Sequence, residues 1–410
     1  MENDRRPEGV RHSSAAQGFR PASRAAIRGR AVARALVDQS LLLPAGAIIA
    51  LGWANVSWST YERFSRPLHF IVNDVAMVFF FALATKEVVE ATSPGGALSS
   101  VRRAATPVWA GLGGMLVPAA IYLLFVRAAG EPGLARGWAI PCATDIAFSY
   151  LAARLVLGAR HPAIPFLLLL AIADDAFGLV VLAIFYPTGS LRPGEFTILF
   201  AAALAIAYAL RRSGIRSFWP YIGVAGSVSW LALWRGGFHP ALALVPIVPF
   251  LPGAARDPGL FVDAPASAHD TLSELEHWWR TPVAVVLFAF ALVNAGVPFS
   301  SVGTGTWAVL AAVLAGKPIG IVGFTLAGGA AGLRLPHGFD WRVLAVVGCA
   351  AAIGFTVALF FATAAFPDGA YLAQTKTGAL LSVAGGVMAA LVAAALRVGR
   401  FGRPRREPHS

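Results

Sequence analysis

Five of the 21 acidic residues fall inside long apolar runs: Asp74, Glu87, Asp145, Asp174 and Asp175. A charge at the centre of a bilayer costs about 2.5–3.5 kcal/mol, so a chain this apolar keeps such groups for work. The strongest signal is Ala171-Ile172-Ala173-Asp174-Asp175-Ala176-Phe177-Gly178. Neighbouring side chains on a helix point about 100° apart, so the two carboxylates address different partners. Two carboxylates this close in a low dielectric do not both ionise easily. The pair therefore suits a site where a cation and protons compete, which is the basis of exchange. Lys317, in Gly316-Lys317-Pro318, lies deep in another apolar run and needs a carboxylate. Pairing with Asp174 or Asp175 is the economical answer, and the pair would break and reform as the site loads and empties.

Asp145 follows Thr144 in Pro141-Cys142-Ala143-Thr144-Asp145, where Pro141 and the polar pair interrupt an apolar run. Unwound backbone at membrane depth is tolerated only where it faces protein or a cavity. Asp145 is placed to neutralise the amino-terminal dipole of a half-helix. Gly354-Phe355-Thr356 makes a similar interruption later in the chain. Two interrupted segments in different halves point to a transporter built from inverted repeats. Asn73-Asp74 reads as a polar helix-packing pair, and His239, beside Gly236-Gly237, as a solvated loop histidine.

The elements that must carry these residues are membrane helices. Hydrophobic residues make up 57% of the 410 and charged residues 13%, about half the charge of a soluble protein. Crossing the hydrocarbon takes about 17–25 apolar residues. Candidate spans run near 40–57, 69–88, 105–126, 138–154, 163–185, 194–210, 217–233, 238–252, 282–299, 305–331, 342–365 and 376–397. That is an all-α membrane protein of about twelve spans, the eighth short and Pro-broken; a barrel is excluded by the length of the runs.

Of the arginines, 24 fall on the amino-terminal side of this topology and six on the other. Both termini are therefore expected in the cytoplasm. The net charge of +12 is then topology rather than a nucleic-acid surface. Residues 1–38, with eight Arg and no apolar core, read as a disordered basic tail and not a cleavable signal; 399–410 form a second basic tail. The membrane domain spans 39–398, and the connection of about 253–281 divides it into halves. Cys142 and Cys349 sit in apolar runs and suggest neither a disulfide nor a thiolate metal site.

The chain resembles the NhaA sodium/proton antiporters of bacterial inner membranes. The resemblance rests on Gly137–Phe148 (Gly-Trp-Ala-Ile-Pro, then Ala-Thr-Asp-Ile-Ala-Phe), Asp174-Asp175, Gly316-Lys317-Pro318 and Gly354-Phe355-Thr356. Phe288-Ala289-Phe290 with Asn294-Ala295-Gly296-Val297, Leu275-Glu276-His277, and Asn73-Asp74 before Phe79-Phe80 add to it, over roughly 40–400.

It implies an inverted-repeat fold whose fourth and eleventh helices are discontinuous and cross, with an ion-exchange core from spans 3–5 and 10–12 and a panel from spans 1, 2 and 6–9. Asp175 would be the principal Na+ ligand with Asp174 beside it, and Asp174 would pair with Lys317. Asp145 would balance the half-helix dipoles and assist binding, with Thr144. Helix breaks would lie at Pro141, Gly354 and Thr356. The activity would be electrogenic exchange of Na+ or Li+ for protons in pH and sodium homeostasis, with no enzyme chemistry and no cofactor beyond the transported ions. Membrane lipids would surround it, and no nucleic acid. A homodimer stays open, although about 58–68 is too short for the hairpin through which some members pair.

Glu87, Glu276 and His239 would serve the funnel and the pH response. There the chain departs from the family, whose Gly-Leu-Glu-Val/Ile-Lys-Arg-Glu run is replaced by Thr85-Lys86-Glu87-Val88-Val89-Glu90-Ala91.

Other classes fit less well. A carrier of a small organic solute would want more polar residues in the spans, and Gln17, Gln39 and Gln374 all fall outside them. An intramembrane aspartyl protease would carry Tyr-Asp and Gly-x-Gly-Asp, which are absent. A non-transporting sensor has no feature of the site in its favour.

Overall fold

The computed structural model describes residues 41–159, 161–253, 270–333 and 339–401. The basic tail 1–38 and residues 402–410 of the second tail lie outside them, as does most of the 253–281 connection. Among the described residues every regular element is a helix or a helical turn. This is the expected solution in lipid, where each backbone N–H and C=O must be satisfied within the segment.

Five stretches are long and apolar enough to cross a membrane: Ala104–Ala128, Ala163–Phe185, Pro193–Arg212, Thr304–Ala330 and Gly369–Phe401. Three bent pairs pass the same test together. Pro132–Cys142 with Ile146–Leu157 turns by 57°, and Trp341–Ala351 with Phe355–Ala365 by 52°. These are the two interruptions expected from Pro141 and Gly354. The third, Trp58–Leu68 with Ile71–Thr92 at 43°, was not expected; Pro67 and a π-turn over Ile71–Ala76 lie at the bend.

The eighth stretch is not a continuous helix. Pro240, Pro246, Pro249 and Pro252 each remove a backbone donor, and two 3-10 turns result, Pro240–Leu242 and Val248–Phe250. The ninth begins earlier than expected, at Thr271, where Asp270 caps the helix by accepting from Ser273 N at 2.7 Å. Gln374 also departs from expectation. It lies within the helix Gly369–Leu381 and accepts from Gly305 N at 2.9 Å.

Glycines let the site helices approach closely, as small residues do in membrane packing. Along Val101–Ala128, Gly113 meets the backbone of Gly320, and Gly114 faces Ile321 and the Lys317 stem. One turn earlier, a Cβ on Gly111 would stand 3.1 Å from Asp174 Oδ1. The Gly111-Leu112-Gly113-Gly114 run thus lies between the helix that carries Lys317 and the one that carries Asp174. By contrast, Pro193–Arg212 fully buries only Ala203 and Ala207; Phe196, Leu204, Ile206 and Leu210 pack partly against the core, while Ile198 and Tyr208 are turned outward.

Candidate functional site

The two bent segments meet at their breaks, and the freed backbone groups satisfy one another. Asp145 N donates to Ile353 O at 2.7 Å. The Thr144 hydroxyl reaches Ala351 O at 3.2 Å, and Gly354 N donates to Ser382 Oγ at 3.1 Å. Asp145 caps both outgoing half-helices at once. Its Oδ1 accepts from Phe148 N at 3.3 Å, in the first turn of Ile146–Leu157. Its Oδ2 accepts from Thr356 N at 3.2 Å and from the Thr356 hydroxyl, in the first turn of Phe355–Ala365. One carboxylate therefore compensates two helix N-termini, where its local sequence pointed to one.

Next to this junction stands Asp174. Its Oδ2 accepts from the Thr144 hydroxyl at 2.7 Å and lies 3.3 Å from Lys317 Nζ. The two charged side chains are 1% and 0% exposed, so neither charge has water to fall back on. Lys317 Nζ also donates to Cys142 O at 2.5 Å. That carbonyl is free because the helix stops there and resumes only at Ile146. A π-turn over Ala312–Gly316 delivers Lys317 to this place. Pro318 has no N–H for Leu314 O and its ring crowds that carbonyl, and a widened turn relieves both. Asp174 Oδ1 is buried with no hydrogen-bond partner.

Asp175 points elsewhere, as the helical spacing required. It lines a small cavity with Phe80, Phe81, Ala84, Cys142 and Phe360. Among the described residues no hydrogen bond or ion pair engages its carboxylate. The cavity is about 20 Å³, room for roughly one water or one dehydrated cation.

The remaining candidates separate into two groups. Lys86 Nζ lies 2.6 Å from Glu90 and pairs as well with Glu276. Glu87 is next to Lys86 on the same helix, one turn beyond cavity-lining Ala84. His239 does not join Glu87 and Glu276. It is buried rather than solvated, with Nδ1 3.6 Å from Asp74 Oδ1 and its ring 4.8 Å from that of Phe360. At about 1.5 Å per residue, Asp74 and Glu87 stand about 20 Å apart along their helix. Asn73 is the packing residue it was expected to be, in a reciprocal amide pair with Asn294.

Three features escaped sequence reasoning. The glycine run at 111–114 has a readable signal, small residues spaced along an apolar helix. Lys86 takes up a basic role one turn before the vacant positions Val89 and Glu90, and i,i+4 spacing to Glu90 was available to show it. The carbonyl of Cys142 had no signal, because nothing in a residue type announces a freed backbone oxygen.

The family profile described as Na+/H+ antiporter 1 matches residues 31–396. The Na(+)/H(+) antiporter NhaA of Geobacter sulfurreducens is 44% identical over 375 residues, covering 89% of this chain and 98% of that protein. The protein of the same name from Geobacter metallireducens is 45% identical, covering 91% and 98%. Among solved structures, the sodium proton antiporter MjNhaP1 from Methanocaldococcus jannaschii superposes with a TM-score of 0.56 at 15% identity, over 92% of this chain and 97% of that one. That likeness speaks for the fold.

Proposed function

This chain belongs to the Na+/H+ antiporter 1 family, a family of multi-pass membrane proteins, and we propose from that premise that it exchanges Na+ or Li+ for protons at Asp174 and Asp175. The observation that carries the reading is the contrast between the two adjacent carboxylates. Asp174 is engaged by Lys317 and Thr144, whereas Asp175 has no hydrogen-bond or ion-pair partner among the described residues and lines a cavity of about 20 Å³. A cavity of that size suits a bare small cation and leaves no room for an organic solute.

In this reading the pair holds either a cation or protons. Na+ binds Asp175 first, and Asp174 joins it as its bond to Lys317 breaks. Protons then displace Na+ on the opposite side, and the Lys317–Asp174 pair reforms. Two protons against one Na+ moves net charge, so the cycle is electrogenic. Asp145 and Thr144 hold the junction at which the two discontinuous segments cross, as inverted repeats would place them, and Asp145 also lends negative charge to the bound ion. No cofactor is needed; the ions themselves are the cargo.

The further assignments follow the same line. The core is formed by spans 3–5 and 10–12 of about twelve, and the panel by the rest. The arginine distribution, 24 against six, supports cytoplasmic termini in the bacterial inner membrane. Glu87, Glu90 and Glu276 then line the cytoplasmic mouth, where they draw in cations, and serve the pH response.

The experiment is dequenching of a pH gradient in inverted vesicles on adding Na+, Li+ or K+. Native protein responds to Na+ and Li+ and not to K+, and Asp175→Asn abolishes the response. A native protein with no Na+ response, or an undiminished Asp175→Asn, overturns the assignment. If Lys317→Ala leaves binding, transport and their pH dependence untouched, the coupling role of Lys317 falls.

A further inference from the structure

The helical segment Ile71–Thr92 carries a carboxylate near each end, and it borders the ion cavity between them. Glu87 lies on one side of the cavity-lining residues Phe80, Phe81 and Ala84, and Asp74 on the other. One ring touches both the cavity and the neighbourhood of Asp74. Phe360, in Phe355–Ala365, lines the cavity on one face and is 1% exposed. Its centroid is 4.9 Å from that of Phe81, edge-on, and 6.1 Å from that of Phe290. It also packs against the His239 ring, centroid to centroid 4.8 Å, and His239 Nδ1 is 3.6 Å from Asp74 Oδ1. The Asp74–His239 contact is therefore linked to the Asp175 cavity through this one packed ring.

We propose that Phe360 is the gate on the Asp74 side: its ring, clasped by Phe81, Phe290 and His239, seals the Asp175 cavity from the Asp74–His239 pair, and exchange across that side requires it to swing out. The proposal rests on the exchange reading above, and adds to it which residue closes the far side. Three properties suit the ring to the task. A phenyl group fills the opening without offering a cation any ligand. Its three neighbours come from three separate segments, Met77–Thr92, Thr271–Asn294 and the turn at His239, so a shift of Phe355–Ala365 against them breaks all three contacts together. And Phe355–Ala365 begins at Gly354, whose interrupted backbone is a natural pivot.

The chain supplies its own reporter. Cys142 lines the same cavity, and the second cysteine, Cys349, is removed by Cys349→Ser. In that background, full-length protein in vesicles is exposed to a membrane-impermeant methanethiosulfonate at the face bearing Asp74. Phe360→Ala should label Cys142 about tenfold faster than the parent, the effect of a shift of about 1.4 kcal/mol in the open population. Phe360→Leu, which keeps an apolar plug, should stay close to the parent. Phe360→Ala should also dissipate an imposed pH gradient without Na+. Phe218→Ala, at a buried ring that does not line the cavity, controls for general loosening.

Equal labelling of Phe360→Ala and parent overturns the gate, as does equal acceleration by Phe218→Ala. If Phe360→Ala does not fold, Phe290→Ala is read in its place, with acceleration expected and its absence decisive. Labelling does not depend on transport, so a failure of Na+-driven exchange in the parent would strike the function and not the gate.

Discussion

Two lysines in this molecule are each paired with carboxylates, and they stand in opposite environments. Lys317 and Asp174 are sealed at 0% and 1% exposure. Lys86 is also buried, at 7%, but its partners Glu90 and Glu276 are 24% and 46% exposed. Ion pairing is the same chemistry in both places; solvent is the difference. A sealed pair that loses one member leaves a charge with nowhere to go, at a cost of about 3–5 kcal/mol. A pair whose partners reach water is worth about 0–1 kcal/mol. The sealed pair therefore holds its charges where water cannot relieve them, whereas the open one is screened. Local wiring follows the same division. Lys317 is held also by a backbone carbonyl freed at a helix break, whereas Lys86 is held by side chains alone.

The sharpest way to break this comparison is to delete each lysine. Lys317→Ala should lower stability by about 3–5 kcal/mol, read as the thermal unfolding of purified protein in detergent. Lys317→Ala with Asp174→Ala should recover most of that loss, because no unpaired charge remains; additive losses would show that the pair is not a unit. Thr356→Val comes next. It removes one donor to the Asp145 carboxylate, a hydrogen bond to a charged group worth about 1.5–3 kcal/mol, and unfolding should report it with Asp145→Asn partly masking it in the double variant. Glu276→Gln should raise the Na+ concentration for half-maximal exchange and leave the maximal rate nearly unchanged, an effect that fades as ionic strength rises. Lys86→Met should be smallest in stability, within about 1 kcal/mol; a loss as large as that of Lys317→Ala would erase the distinction between the two sites.

The site was legible in the sequence to the extent that its residues were out of place there. Asp174, Asp175, Asp145 and Lys317 stood out because apolar runs rarely keep charge, and the two interruptions because Pro141 and Gly354 disturb helices. Divergent aim of Asp174 and Asp175 followed from helical periodicity, and the structure has it so. His239 was misread as solvated because its neighbours Gly236 and Gly237 look like a loop; burial came from Phe360 and Asp74, both far away in the chain. The eighth stretch was apolar enough for a span but too rich in proline for a helix.

What the sequence determined by itself was the solvent and the chemistry. Composition, run length and a few stranded charges require a helical membrane protein that keeps carboxylates and a lysine inside its apolar runs, since that follows from transfer energies and local geometry. What only the tertiary structure decided was the pairing. Lys317 Nζ is set 3.3 Å from Asp174 Oδ2, where residue types alone left it either aspartate and only the resemblance singled out Asp174; Asp145 is joined to Thr356, and His239 is packed against Phe360. Each joins segments separated by many residues, and no local propensity encodes such distances. They are fixed by where glycines let helices close up, and by which freed backbone groups find one another.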